Sequence, residues 1–365
     1  MGRRLGGVKL SKVFEDANIY YALLSGAHAT LPLAELCGVL EAYGVDYRVL
    51  EVHHQLVLFS SSRNPSFVVD RAGMIHEVGR VLAVSEASES AVLAVCEDAR
   101  VWEVVGSRRF VVRFERLRGY SKETIDNTVA RKIGGLVLSR CRGCKVDVGS
   151  PDVVLRIIVS EGIAVVGVRL AILDLKPLLA RRPHLKPFYH PGALDPRLSR
   201  VFVNLSRAPP GGLYYDPFCG TGGFSVEALI GSVNVVCSDI DSRLVGGALK
   251  NIGAYVDYAR SYPLSVVQAD AVRMPLRSEV VDAIGTDPPY GRSISTRGRQ
   301  LEEILRGFLE EAARVLKRGR WLAFATPHWI EPRDLVVEAG LELLETHFMR
   351  VHGGLTRILV VARRP

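Results

Sequence analysis

One short segment of the chain concentrates groups that could do chemistry. Asp287, Pro288, Pro289 and Tyr290 follow an apolar run, residues 280–284, that predicts a buried strand. Because proline fixes φ and lacks a backbone N–H, the chain must leave a sheet here and project the Asp287 carboxylate, the Pro288 carbonyl and the Tyr290 ring from the strand's end. Two acceptors and a flat ring suit a planar amine, such as the exocyclic NH₂ of a nucleobase. An ordinary proline turn has the same composition, so the residues at the ends of the neighbouring strands must distinguish a binding turn from a purely structural one.

A glycine-rich turn follows the first strand of the same region. Asp216 leads this turn, and Gly220 and Gly222 permit close backbone approach where a ligand lies over it. The spacing differs from the G-x-G-x-x-G of dinucleotide-binding turns. A carboxylate beside the turn would repel a phosphate but suits the ammonium of an amino acid, which favours S-adenosylmethionine over NAD or ATP as the ligand.

Two further strands are expected to end in acidic residues. Asp239 follows the second strand, where an acidic side chain accepts from ribose hydroxyls, and Asp241 is expected to cap the next helix. Asp270 follows the third strand, where its carboxylate could accept from an adenine amino group beside a backbone N–H. We therefore predict cofactor contacts from Asp216, Phe218, Gly220, Gly222, Asp239, Asp270 and Ala271, and catalytic roles for Asp287, Pro288 and Tyr290.

Alternating strands and helices position these residues. Strand-like runs occur at residues 213–215, 233–238, 266–267, 281–284, 321–325 and 357–362. Helical runs separate them, among them residues 301–317, which Gly319 is expected to stop. This order predicts an α/β fold with a doubly wound, mostly parallel sheet. Ligands of such sheets bind across the carboxyl ends of the strands, where every candidate residue lies.

Composition limits the class of protein. At 365 residues and 48% hydrophobic content, the chain is long enough for two or three domains. No apolar run approaches the roughly 20 residues that span a bilayer, so we expect a cytoplasmic protein with no membrane partner. Six cysteines are too sparse for a disulfide scaffold. Cys141 and Cys144 form the one close pair; we expect a local disulfide or two reduced thiols, and no metal site.

Charge favours a nucleic-acid partner. The net charge is +8, and 38 of the 47 basic residues are arginine, which suits bidentate phosphate contacts. A basic cluster interleaved with Phe110, Phe114 and Tyr120 lies in the middle of the chain. It is either a solvated strand face over core aromatics or a surface that follows a phosphate backbone, and the second is our prediction. The predicted RNA-binding residues are Arg108, Arg109, Arg113, Arg116 and Lys122.

Several of these motifs resemble known families. Residues 110–115, Asp147, residues 151–156 and residues 167–170 resemble a THUMP domain, an RNA-binding module. Nearly the whole chain resembles the archaeal tRNA (guanine-10-N2) methyltransferase family, which is a class I S-adenosylmethionine-dependent family. The most specific matches are residues 216–224, 238–241, 287–293 and 350–357. Residues 188–192 also match, although family members often carry a basic residue where this chain has His190.

The resemblance implies an arrangement of domains and a reaction. Residues 1–62 would form an N-terminal α+β, ferredoxin-like domain, 63–172 the THUMP domain, 173–189 a linker, and 190–365 a Rossmann-like methyltransferase domain. The expected reaction is methyl transfer from S-adenosylmethionine to N2 of guanosine 10 in tRNA, once or twice, by a monomer.

Alternatives stay open because the turn at Asp287 accepts any planar amine. A ribosomal guanine-N2 methyltransferase or a nucleic-acid adenine-N6 methyltransferase would use the same groups. A non-catalytic RNA-binding factor is a further alternative from a different class. The THUMP-like region favours tRNA among the nucleic acids.

Overall fold

In this computed structural model, residues 12–13, 18–117, 125–255, 264–290, 300–352 and 354–365 are described. The elements in chain order are β1 (Lys12–Val13), β2 (Ile19–Leu24), α1 (Leu31–Ala42), β3 (Tyr47–His53), β4 (Leu56–Ser61), a 3₁₀ turn (Pro65–Phe67), α2 (Val68–Arg71), β5 (Ile75–Glu86), α3 (Glu89–Cys96), α4 (Ala99–Glu103), β6 (Arg109–Arg116), α5 (Asn127–Arg140), β7 (Lys145–Val146), β8 (Val153–Ser160) and β9 (Ile163–Ile172). They continue with α6 (Leu175–Ala180), a 3₁₀ turn (Pro183–Leu185), α7 (Pro196–Leu205), β10 (Leu213–Asp216), α8 (Gly223–Ile230), β11 (Asn234–Asp239), α9 (Ser242–Tyr255), β12 (Leu264–Gln268), β13 (Val281–Thr286), α10 (Leu301–Val315), β14 (Leu316–Pro327), α11 (Pro332–Glu338), β15 (Glu342–His352) and β16 (Leu355–Arg363).

These elements fall into two units. The first comprises residues 1–27, 45–69 and 75–173, and the second comprises residues 28–44, 70–74 and 174–365. Within the described residues, the first unit has one nine-stranded sheet in the order β3-β4-β2-β5-β9-β8-β6-β7, with β1 on β5. Helices α3 and α5 bury Val92, Val129 and Ile133 with Phe110 of β6 in one apolar cluster of this unit.

The second unit is the predicted α/β domain. Over the described residues its sheet has the order β12-β11-β10-β13-β14-β16-β15. The strands from β12 to β14 run parallel, and β16 and β15 are antiparallel to their neighbours. Strand β13 is buried along its whole length, as expected of a central parallel strand covered on both faces. The predicted fold class is therefore confirmed.

Helices cover both faces of this sheet. The adjacent residues Tyr214 and Tyr215 of β10 belong to different apolar clusters, because successive side chains of a strand point to opposite faces. Phe202 of α7 and Phe224 of α8 stack in one cluster with ring centroids 4.8 Å apart. Phe308 of α10 lies in the other. This doubly wound arrangement holds the strand ends of β10, β11, β12 and β13 at one edge.

Some predicted boundaries were wrong. Helix α10 ends at Val315 rather than residue 317, because Leu316 already pairs with Val281 as the first residue of β14. Gly319, with φ of +73°, lies inside β14 and does not end the helix. Strand β15 was not predicted, and it forms the edge of the sheet beside β16.

The boundary predicted at residue 62 does not divide the two units. The sheet of the first unit includes strands from both sides of it, and residues 28–44 and 70–74 belong to the second unit. Buried Glu35 of α1 shows why, since its carboxylate accepts from Gly73 N at 2.8 Å, Met74 N at 2.7 Å and Asn204 Nδ2 at 2.8 Å. One side chain therefore holds three distant segments together. A THUMP domain at 63–172 stays a prediction.

Two other features bear on the predictions. Cys141 and Cys144 are joined by a disulfide, which decides between the two states expected for this pair. No helix in the described part of the chain is both long and apolar enough to cross a membrane.

Candidate active site

A cavity of about 430 Å³ opens where β10, β11, β12 and β13 end. Of the predicted site residues, Asp216, Phe218, Gly220, Asp239, Asp270, Ala271, Asp287, Pro288 and Tyr290 line it. Each ends or follows one of these four parallel strands, so the topology brings together residues up to 74 positions apart. His190, Ile304, Leu355 and Arg357 line the cavity as well.

The turn after β13 holds its acidic side chain from two directions. Tyr290 donates its hydroxyl to Asp287 Oδ1 at 2.7 Å, and Arg357 Nη2 lies 3.2 Å from Asp287 Oδ2. Arg357 Nε also donates to the Tyr290 hydroxyl. Burial raises the pKa of Asp287, and the Arg357 charge and the Tyr290 hydrogen bond oppose that rise. The carboxylate is thus fixed in place at the cavity wall, where it can accept from a bound amine.

Asp216 is buried beneath the turn that follows β10. Thr286 Oγ1 donates to its Oδ1 at 2.7 Å, and Phe218 N lies 3.3 Å from the same oxygen. Burial raises the pKa of Asp216 to about 8, although both hydrogen bonds favour the charged form. Nearby Asp239 and Asp287 raise it further. An ammonium group beside Asp216 would relieve this cost.

Asp239 connects two loops at the end of β11. Its Oδ2 accepts from Gly220 N at 3.0 Å, and its Oδ1 accepts from Asp241 N at 2.9 Å. Burial raises the pKa of Asp239, against these backbone hydrogen bonds. Each carboxylate oxygen has a second lone pair, so Asp239 can still accept from hydroxyl groups in the cavity. Asp241 caps α9 as predicted, by accepting from Arg243 N at 2.9 Å.

The two predicted glycines have different roles. Gly220 has φ of +50°, and a Cβ placed on it would meet no atom within 4 Å, so the space over this turn is open. Gly222 does not line the cavity, which is a correction. Its φ is +75°, and a Cβ there would lie 3.2 Å from Ala248 Cβ. Gly222 is therefore the N-cap of α8 and permits close packing of this helix on α9.

The chain is similar to known methyltransferases. Residues 183–358 match the family described as UPF0020, RMKL-like, methyltransferase domain. A tRNA (guanine(10)-N2)-dimethyltransferase of Methanothermobacter thermautotrophicus is 34% identical over 345 residues, which cover 94% of this chain and 98% of that protein. A protein of the same name from Methanocaldococcus jannaschii is 30% identical over 362 residues, covering 94% and 99%. The chain belongs to the tRNA (guanine(10)-N2)-dimethyltransferase family.

The fold of this dimethyltransferase-family chain also has a solved counterpart. The crystal structure of TrmN from Thermus thermophilus matches with a TM-score of 0.52 and 22% sequence identity, over 95% of this chain and 100% of the other. The predicted family and fold class are thus both confirmed.

The predicted RNA-binding residues of this family member do not share one face. Arg109 and Arg113 lie on the same face of β6, because an even number of residues separates their positions, whereas Arg116 lies on the opposite face. Arg109 makes a bidentate pair with Asp152, at 2.7 and 3.1 Å. Arg113 Nη2 donates to Val148 O at 2.9 Å. These positions are not tested by the comparisons, and their RNA-binding role stays a prediction.

The basic cluster also includes Arg108, Phe110, Phe114, Arg118, Tyr120 and Lys122. Arg108 donates to Val105 O at 3.2 Å and to Val104 O at 2.5 Å. Phe110 is buried in the apolar core of the first unit and is not available to stack on bases, whereas Phe114 is half-buried against that core. Arg118, Tyr120 and Lys122 lie outside the described residues, as do residues 291–293 and 353 of the motifs that resemble the dimethyltransferase family.

Two site residues of the dimethyltransferase domain were missed. Thr286 ends β13 and binds Asp216, and Arg357 binds Asp287 from an antiparallel strand. The segment 350–357 carried a signal, since it resembled the family. Nothing in its composition linked Arg357 to a turn 70 residues earlier.

Proposed function

We propose that this chain methylates the exocyclic N2 amine of guanosine 10 in tRNA, with S-adenosylmethionine as the methyl donor. One observation carries the proposal: the Asp287 carboxylate, held by Tyr290 and Arg357, opens into the same cavity as Asp216 and Asp239. The carboxylate that would accept from the amine and the groups suited to an amino-acid nucleoside thus line one cavity.

The residues present fit the proposed donor. Open space over Gly220 admits a nucleoside close to the backbone, and Asp239 retains lone pairs for ribose hydroxyls. Asp216, with its pKa raised to about 8, gains a partner when an ammonium lies near it. Asp270 and Ala271 follow β12 and line the cavity, and they would contact the adenine. S-adenosylmethionine, when bound, supplies an electrophilic methyl group on a sulfonium.

The chain's own side chains orient the acceptor. The lone pair of an aromatic amine is delocalised into its ring, which makes it a weak nucleophile. Asp287 and the Pro288 carbonyl would accept hydrogen bonds from the amine as it becomes pyramidal, and Tyr290 would hold the base. Asp287 is also placed to accept the proton that the nitrogen loses after transfer. A guanine in a helix must be turned out of its stack to reach this cavity.

The remaining features of the proposal concern the substrate and its setting. Residues 63–172 would bind tRNA as a THUMP domain, and the enzyme would act as a cytoplasmic monomer. The name shared by the relatives supports two successive transfers to one nitrogen. A transcript of unmodified tRNA incubated with the protein and labelled donor tests the proposal. Label in N2-methylguanosine or its dimethyl form is expected, whereas label in N6-methyladenosine or no label would refute it.

A further inference from the structure

Arg357 reaches the candidate active site from the antiparallel part of the sheet. It lies on β16, opposite Pro327 of β14 and Met349 of β15. Only 8% of the residue is exposed, and it lines the cavity. A buried arginine needs partners for its donors, and the turn after β13 supplies them.

Three side chains form a closed ring of interactions. Arg357 Nη2 lies 3.2 Å from Asp287 Oδ2, and Arg357 Nε donates to the Tyr290 hydroxyl. The same hydroxyl donates to Asp287 Oδ1 at 2.7 Å. The guanidinium carbon also lies 5.5 Å from the centroid of the Tyr290 ring. Because the guanidinium is planar and rigid, these contacts fix both side chains relative to each other.

We propose that Arg357 is a positioning residue for methyl transfer, which holds Asp287 and Tyr290 in the arrangement that receives the amine. The inference rests on the proposed function. Arg357 acts through Asp287: it orients the carboxylate so that a lone pair of each oxygen remains for the substrate. It also balances a buried negative charge that would otherwise favour a proton on the carboxylate.

The titratable groups that face Asp287 come from three elements. Arg357 faces it from β16, Tyr290 from its own turn, and Asp216 from β10. Burial of the site favours protonated Asp287, and the Arg357 charge and the Tyr290 hydrogen bond oppose it. A protonated carboxyl offers the amine a weaker acceptor and cannot take its proton. Removing the guanidinium should therefore move the acidic limb of the transfer rate to higher pH.

A purely structural role for Arg357 predicts a different outcome. Arg363 lies on the same strand, with its guanidinium 5.7 Å from the centroid of the Trp321 ring and outside the cavity. Arg363→Met is therefore the matched control for loss of an arginine from β16. If Arg357 only stabilised β16, Arg357→Met and Arg363→Met would both lower the melting temperature, and neither would change the pH dependence of the reaction.

The experiment compares Arg357→Met, Arg357→Lys and Arg363→Met with the unaltered full chain. Single-turnover methyl transfer to tRNA is measured from pH 5 to 9, and affinity for S-adenosylmethionine is measured by calorimetry. For Arg357→Met we expect an acidic limb about one pH unit higher and a maximal rate about 100-fold lower, with donor affinity unchanged. Arg357→Lys should keep the wild-type limb at a rate about 10-fold lower, because one ammonium cannot serve both partners.

A donor-free measurement supplements the rates. A tRNA with 2-aminopurine at position 10 carries the amine on a fluorescent base, and its fluorescence rises when the base leaves the stack. The Arg357→Met complex should show a smaller rise at saturating protein. If Arg357→Met keeps the pH dependence and the maximal rate of the wild-type protein, the inference is overturned. If that variant does not fold, a wild-type rate in Arg357→Lys would overturn it, whereas an inactive wild-type protein would refute the proposed function itself.

Discussion

Thr286 Oγ1 donates a hydrogen bond to Asp216 Oδ1 at 2.7 Å. This contact joins the last residue of β13 to the last residue of β10, whose strands pair in parallel. The turn that would hold the amine begins one residue after Thr286, and the turn suited to the methyl donor begins one residue after Asp216. One buried hydrogen bond thus sets the spacing between the two halves of the candidate site.

Asp287→Ala should abolish transfer while leaving donor binding intact. In the proposed complex the carboxylate accepts a hydrogen bond from the amine during transfer. Loss of this acceptor should lower the rate of transfer about 100-fold or more. Single-turnover assays measure the rate, and calorimetry measures donor affinity. Asp334→Asn on the exposed face of α11 is a matched control. Turnover near the wild-type value in Asp287→Ala would contradict the assignment.

Asp239→Ala should weaken donor binding. In the proposed complex the ribose hydroxyls would lose their acceptor, and Gly220 N and Asp241 N lose theirs. Charged hydrogen bonds of this kind contribute about 1.5–3 kcal/mol, so affinity should fall about 10- to 100-fold. Asp174→Ala removes the cap of α6, outside the cavity, and should change donor affinity far less. Equal affinities for the two variants, measured by calorimetry, would refute the ribose assignment.

Asp216→Asn should stabilise the free protein and weaken its binding to the donor. In the folded chain the Asp216 carboxyl has a pKa of about 8, far above its ordinary value of 3.8. Between these pH values the folded state retains a proton that the unfolded state has lost, so wild-type stability falls as pH rises through this window. The melting temperature of the variant relative to wild type should rise from pH 4 to pH 8. If the difference in melting temperature between the variant and the wild type does not change with pH, the raised pKa of Asp216 is contradicted.

Arg113→Ala should weaken tRNA binding more than Arg109→Ala does. The Arg109 guanidinium is already paired with Asp152 and Asp147, whereas Arg113 is bonded to a single backbone carbonyl. Loss of one phosphate contact lowers affinity across sequences and reduces the salt dependence of binding by about one ion. Filter binding at several salt concentrations measures both. Unchanged affinity and slope in Arg113→Ala would remove this residue from the RNA surface.

The strand ends were predictable because topology determines where they meet. A parallel sheet places the carboxyl ends of neighbouring strands at one edge, so Asp216, Asp239, Asp270 and Asp287 could be grouped without knowledge of their side-chain orientation. Gly222 shows the limit of that reasoning. A glycine with positive φ in a loop can serve a ligand or helix packing, and the contact with Ala248 shows packing.

The antiparallel edge was less predictable. The inward positions of β15 mix the polar Glu345 and His347 with the apolar Leu343 and Met349, and the outward Phe348 is 64% exposed, so the usual apolar alternation is broken. The inward polar residues are satisfied by partners far along the chain, such as Arg207 with Glu345 at 2.5 Å. Arg357 was missed for the same reason, since an ion pair between residues 70 positions apart leaves no local pattern.

Mapping of methylated nucleosides tests the central claim most directly. Unmodified tRNA transcripts, one with guanosine and one with adenosine at position 10, are incubated with the protein and S-adenosylmethionine, then digested and analysed by mass spectrometry. We predict N2-methylated guanosine at position 10 of the first transcript and none at position 10 of the second. Methylation of an adenine amine, guanosine methylation only at other positions, or no methylation would contradict the account.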